Sequence, residues 1–123
     1  MALVNQVDKR VRMSRWDIIK YQLLTHCYLY NIIVSENDLN CLTLLAIEGE
    51  AELTSFCNKA HGENIFSSIQ SVRNCLTKVE KKNLIKKEGK NKKKIYLNPD
   101  LKVYSTGNIL LDFKFLSIET TES

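Results

Sequence analysis

The sequence predicts an α+β domain, mainly helical, with a β-hairpin and an extra strand near its C-terminus. Three observations carry that expectation. Four stretches between residues 14 and 82 space their apolar residues by three and four, the repeat of an amphipathic helix. Residues 84–97 then hold two short segments with β-branched and aromatic residues on either side of a turn containing Gly and Asn, which is the pattern of a hairpin. The chain of 123 residues, 44% hydrophobic and 26% charged, is long enough to bury a core without the help of disulfides or a metal.

Each element can be justified in order. After a basic segment, 1–13, that contains Lys9, Arg10 and Arg12, an N-terminal helical region is expected over 14–34. Its stripe is Trp16, Ile19, Leu23, Cys27 and Tyr30, and Ser14 supplies a cap. A second helix starts after Ser35, because Ser35-Glu36-Asn37-Asp38 is a capping box with Asp in place of Glu, and Val34 and Leu39 can form the staple around it. Leu39, Leu42, Leu45 and Ala46 face one way, and Gly49 ends the helix. Leu53, Phe56, Cys57 and Ala60 give a short third helix that Gly62 breaks. The fourth, at about 65–82, turns Ile65, Ile69, Val72, Leu76 and Val79 inward. Leu84–Glu88, the turn Gly89–Lys92 and Lys93–Leu97 form the hairpin, which Asn98-Pro99 stops. In the remaining segment, 99–123, Ile109–Leu116 alternates after Leu111, so a strand is expected with Leu111, Phe113 and Phe115 on one face.

The net charge of +4 conceals an asymmetry: ten basic residues stand against two acidic ones between Arg73 and Lys94, leaving +8 there and −4 elsewhere. A concentrated basic stretch on an acidic remainder is what a phosphate-neutralising surface requires, although a lysine-rich solvated face has the same composition. The outer face of the fourth helix fits the first reading through its residue types and through what precedes and follows it, although an ordinary solvated helix face is open to it as well. Ser67, Ser68, Gln70, Ser71, Arg73, Asn74 and Thr77 are hydroxyls, amides and one guanidinium, residue types that reach base edges in a major groove. Lys78 and Lys81 follow toward the C-terminus, where cations suit the helix dipole and reach phosphates.

Other classes find less support. The longest apolar runs are three or four residues, so none crosses a bilayer, and the residues after Trp16 are too polar for a secretory signal. Cys27, Cys41, Cys57 and Cys75 contain no C-x-x-C pair, and three of the four fall on inward helix faces, as reduced cytosolic thiols would. Cys57 with His61, and His26 with Cys27, lack the paired ligand spacing of a structural zinc site, and no metal or cofactor is expected. Glu48, Glu50 and Glu52 read as acids near a helix N-terminus. No nucleophile elbow, phosphate loop or zinc-protease motif is present, so an enzyme is not expected. Tyr21, Tyr28 and Tyr30 lie outside the basic stretch, away from where a base-stacking platform would be needed.

A short helix, a longer one and then a basic hairpin is the order of a helix-turn-helix followed by a wing. Between Ser35 and Asn98 the chain resembles the winged helix-turn-helix of MarR-type regulators, and Val79-Glu80-Lys81-Lys82-Asn83-Leu84-Ile85 is similar to that family's leucine-glutamate-lysine-lysine-glycine-leucine-isoleucine junction. The resemblance covers about half the chain. It implies that Gln70, Ser71, Arg73, Asn74 and Lys78 lie on the outer face of a recognition helix, with Lys90, Asn91, Lys92, Lys93 and Lys94 at the wing over 88–94. Asn83 replaces the usual glycine, which Asn can do because it tolerates a left-handed backbone. The stretch from His61 to Ser67 is several residues longer than the family's turn. Ile95-Tyr96-Leu97-Asn98-Pro99-Asp100-Leu101 is similar to the segment after the wing in plasmid replication proteins of the RepL type.

The expected function is therefore sequence-specific binding of double-stranded DNA by a cytoplasmic transcriptional regulator of bacterial or phage origin. It is expected to act as a homodimer joined through the first helix, the tail or both. The alternatives are a replication or maintenance protein of a plasmid or phage, and a winged-helix module that docks its lysines on an acidic protein.

Overall fold

A computed structural model describes residues 14–104, so the basic segment 1–13 and the expected strand at 109–116 lie outside the described residues. The elements are α1 (Arg15–Leu29), α2 (Glu36–Glu48), β1 (Glu50–Glu52), α3 (Leu53–Gly62), α4 (Ile69–Lys81), β2 (Ile85–Glu88), a 3-10 turn (Lys90–Lys92) and β3 (Lys94–Leu97). The described residues thus form a mostly helical α+β structure whose antiparallel sheet has the order β1-β3-β2. No helix among them is long and apolar enough to cross a membrane.

The helix starts are set by side-chain caps. Ser14 Oγ accepts from the Asp17 N–H at 3.2 Å, and Ser35 and Asp38 form a reciprocal capping box at 3.1 and 2.9 Å. Glu52 caps α3 by accepting from the Thr54 and Ser55 N–H groups, and its carboxyl is held below the usual range first by the Ser55 hydroxyl, which donates to it at 2.8 Å, and then by these N–H groups. Gly49, at φ 79° and ψ −91°, turns the chain out of α2 into β1 through a conformation that other residues rarely adopt. Asn83 makes the corresponding turn between α4 and β2 at φ 61°, as the sequence led one to expect of an Asn there.

Two elements differ from expectation. The fourth helix begins at Ile69, four residues later than its apolar spacing suggested, because Ser68 Oγ accepts from the Ser71 N–H at 3.1 Å and caps it there. Ile65 and Phe66 still pack on the core, but from the preceding turn; Ile69 is 39% exposed, and Cys75 joins Val72, Leu76 and Val79 on the buried face instead. The second difference is β1, which was not anticipated. Glu50, Ala51 and Glu52 oppose Tyr96, Ile95 and Lys94, so the hairpin is held by a third strand. At the end of α1, Tyr30 is 67% exposed and does not continue the stripe of Ile19, Leu23 and Cys27.

One core unites these elements: Ile19 and Leu23 of α1, Leu42 and Leu45 of α2, Phe56 of α3, Val72, Leu76 and Val79 of α4, and Ile85 and Ile95 of the sheet are all almost fully buried. Each such Leu, Ile or Phe contributes about 1.5–3 kcal/mol relative to exposure, so packing rather than helix propensity holds α4 against α3 and the sheet. All four cysteines are buried and unpaired. At the base of the hairpin, Asn98 Nδ2 donates to the Asn83 carbonyl at 2.8 Å and fixes the entrance and exit of the hairpin together.

Candidate nucleic-acid interface

With Val72, Cys75, Leu76 and Val79 facing the core, α4 turns Gln70, Asn74, Thr77 and Lys81 to solvent in steps of four, three and four. Gln70 Nε2 donates to Asn74 Oδ1 at 3.0 Å. The pair therefore keeps the Gln70 carbonyl oxygen and the Asn74 amide hydrogens available outward, one acceptor beside one donor group. Thr77 Oγ1 donates to the Arg73 carbonyl at 3.0 Å. Arg73 is half-buried on the edge of the helix that also carries Glu80, whose carboxylate lies 3.6 Å from Lys87 of β2. The serines are placed differently from the rest. Ser67 precedes the helix, Ser68 caps it, and the Ser71 hydroxyl lies 2.9 Å from that of Ser68 within the cap.

Lys78, on the opposite edge, belongs to a buried polar cluster. Its Nζ is 2.9 Å from Oδ2 of Asp38, whose side chain is only 3% exposed. The same carboxylate accepts from the Ser35 N–H, and from the Cys75 thiol at 3.3 Å. Burial pushes the Asp38 carboxyl up, but these hydrogen bonds and the Lys78 charge outweigh it and hold the group below the usual carboxylate range. Lys78 is correspondingly raised by its bond to Asp38.

At the hairpin tip, Gly89 at φ 90° and Asn91 at φ 62° fold Lys90–Lys92 into one tight turn that exposes Lys90, Asn91 and Lys93. Lys94 differs from them, for its Nζ is 3.0 Å from Glu50 Oε2 across the β1-β3 pair, and that carboxylate raises it. Lys82 donates to the Ile33 carbonyl. Within 73–94, Arg73, Lys81, Lys82, Lys86, Lys90 and Lys93 have no acidic partner within ion-pair distance among the described residues. Lys81 and Lys86 extend the basic surface from the end of α4 onto β2; Lys86 was not a candidate from the sequence, and its only signal there was membership of the lysine run.

The Cys41 thiol is raised by its hydrogen bond with Cys75 and by burial, and burial raises Cys27 and Cys57, so these groups stay protonated at neutral pH. His61 Nδ1 donates to the Phe66 carbonyl at 3.1 Å, which fixes the irregular turn ahead of α4. Between β1 and the hairpin tip lies a cleft of about 360 Å³ lined by Glu50, Glu52, Lys90, Lys93 and Lys94, where acids border the lysines on one side. Compared with family models, curated proteins and solved structures, the chain matches none.

Proposed function

We propose that the protein is a winged helix-turn-helix that binds double-stranded DNA and acts as a transcriptional regulator, with α3 and α4 as the helix-turn-helix and β2-β3 as the wing. One observation carries the reading. The solvent stripe of α4 is made of amides, a hydroxyl and a lysine, and the cations without acidic partners continue from its end onto the adjacent hairpin. In this arrangement Gln70, Arg73, Asn74 and Thr77 approach base edges in the major groove, while Lys81, Lys86, Lys90 and Lys93 neutralise phosphates. The resemblance to MarR-type regulators agrees with it. Two copies related by a two-fold axis would read two half-sites, so the active species is a homodimer, and a monomer by light scattering at micromolar concentration would count against that part.

The test is fluorescence anisotropy with a random duplex of about 30 base pairs and the matching single strand, titrated at several salt concentrations. Submicromolar duplex binding at low salt, with a steep negative dependence on salt, is the expected result. No binding, or equal binding to any polyanion, would leave the lysines to an acidic protein partner. Once a preferred site has been selected, Asn74→Ala is expected to relax the preference at one or two positions by about 1–3 kcal/mol, since it removes both the outward donor and the partner of Gln70. Competition with single-base variants of the site would read that loss.

A further inference from the structure

The outer side of α1 carries an apolar face for which the described residues provide no cover. Tyr21, Leu24 and Tyr28, at steps of three and four, are 58%, 44% and 80% exposed, and Leu29 beside them is 67% exposed. They stand roughly opposite the buried Ile19, Leu23 and Cys27. A contiguous apolar stripe of this kind marks a contact surface, because monomers rarely leave one open.

Where the described chain ends identifies the occupant. Leu101 is buried and Val103 packs on the core, so the chain after the hairpin runs back across the domain to α1. There Gln22 holds the backbone of Tyr104 from both sides: its Nε2 donates to the Tyr104 carbonyl at 2.6 Å, and its Oε1 accepts from the Tyr104 N–H at 2.8 Å. The chain is thus handed to one edge of α1 with 19 residues still to follow. Among these, Ile109, Leu110, Leu111, Phe113, Phe115 and Leu116 are apolar, and after Leu111 the polar Asp112 and Lys114 alternate with them. Four intervening residues reach up to about 17 Å, and eight extended residues span about 26 Å, against about 22 Å for a helix of 15 residues. We propose that residues 109–116 of the same chain lie over Tyr21, Leu24 and Tyr28 and complete the hydrophobic packing of α1. A tether anchored at Tyr104 gives the segment an effective concentration in the millimolar range, which a second copy at micromolar concentration does not match. The proposal is independent of DNA binding.

The test places the photo-cross-linker p-benzoylphenylalanine at Tyr21 or at Tyr28 in the full chain, mixed with an equal amount of unsubstituted chain labelled with nitrogen-15. Both positions are exposed, so the fold tolerates the ring, and circular dichroism checks this. Mass spectrometry is expected to find α1 joined to a peptide within 109–116 in which both halves are light. A mixture of light and heavy tail peptides would assign the face to a second copy, and cross-links that miss 109–116 at both positions would remove the segment from α1; either result overturns the proposal. In a parallel measurement on the full chain, Phe113→Asp is expected to speed amide exchange in the C-terminal half of α1 at least several-fold, whereas Lys114→Asp leaves it unchanged. Equal exchange in the two variants would also overturn it.

Discussion

Replacing Lys90, Lys92 and Lys93 together by alanine is expected to flatten the dependence of log K on log salt by up to about three units, because each phosphate contact contributes a slope of about 0.9. Affinity at low salt should fall for every duplex alike, since contacts to the backbone carry no sequence information. The fold should survive, for Lys90 and Lys93 are exposed and have no acidic partner among the described residues. Lys94→Ala supplies the contrast. Its ammonium already faces Glu50, so its removal should change the slope less than the average of the other three, and an exposed pair of this kind contributes little to stability. Anisotropy titrations from low to moderate salt decide the matter, and a triple variant that kept the parent slope would take the hairpin out of the interface.

The second large effect concerns stability. Lys78→Ala is expected to destabilise the protein by about 2–3 kcal/mol, because it strands a buried carboxylate that retains only the Ser35 N–H and the Cys75 thiol. Urea denaturation measures this directly. The pH dependence has a definite sign. A carboxyl held low in the folded state adds stability that is fully present above its unfolded value of about 3.9, and that is lost as pH falls through the lower folded value. Lys78, whose folded value is raised, adds stability that is present below its unfolded value of about 10.4 and is lost as pH rises through the higher folded one. In Lys78→Ala, burial acts on Asp38 with less opposition, so its folded value moves up toward the unfolded one and the stability lost on acidification should be smaller than in the parent. A Lys78→Ala variant of unchanged stability would show that the cluster is held by its hydrogen bonds alone. Any loss of DNA binding in this variant should disappear once the folded fraction is taken into account, with the salt slope intact.

The sequence made the helices legible wherever a cap and an apolar stripe agreed. Ser14, Ser35 with Asp38, and Gly49 mark boundaries through groups one to four residues away, and the structure uses each of them. The hairpin was legible for the same reason, its turn being written in Gly89 and Asn91. The start of α4 was not. Ile65 and Phe66 keep a helical spacing with the stripe that follows, yet Ser68 caps the helix and the chain before it packs as a turn. Nor was β1 legible, because Glu-Ala-Glu has no strand propensity and its extended form depends on pairing with Lys94-Ile95-Tyr96, a partner distant in sequence. For the site, the outward stripe of α4 followed from periodicity. The engagement of Lys78 and Lys94 did not, since it depends on Asp38 and Glu50, carboxylates that only the tertiary fold brings within reach.

The three-stranded arrangement also sets an order of events in time. The β2-β3 contact pairs residues from Glu88 with Lys94 out to Ile85 with Leu97, and such a hairpin closes within about ten microseconds, whereas the β1-β3 ladder ties residue 50 to residue 96 and must first close a loop that includes α3 and α4. Chain-closure entropy is therefore expected to favour the hairpin first, with one edge bare, and β1 after it. Until then, β3 offers its unpaired edge to any other chain, and the acidic pair Glu50 and Glu52, flanking Ala51 on the strand that finally covers it, is the charge pattern that discourages a third chain from stacking on the outside.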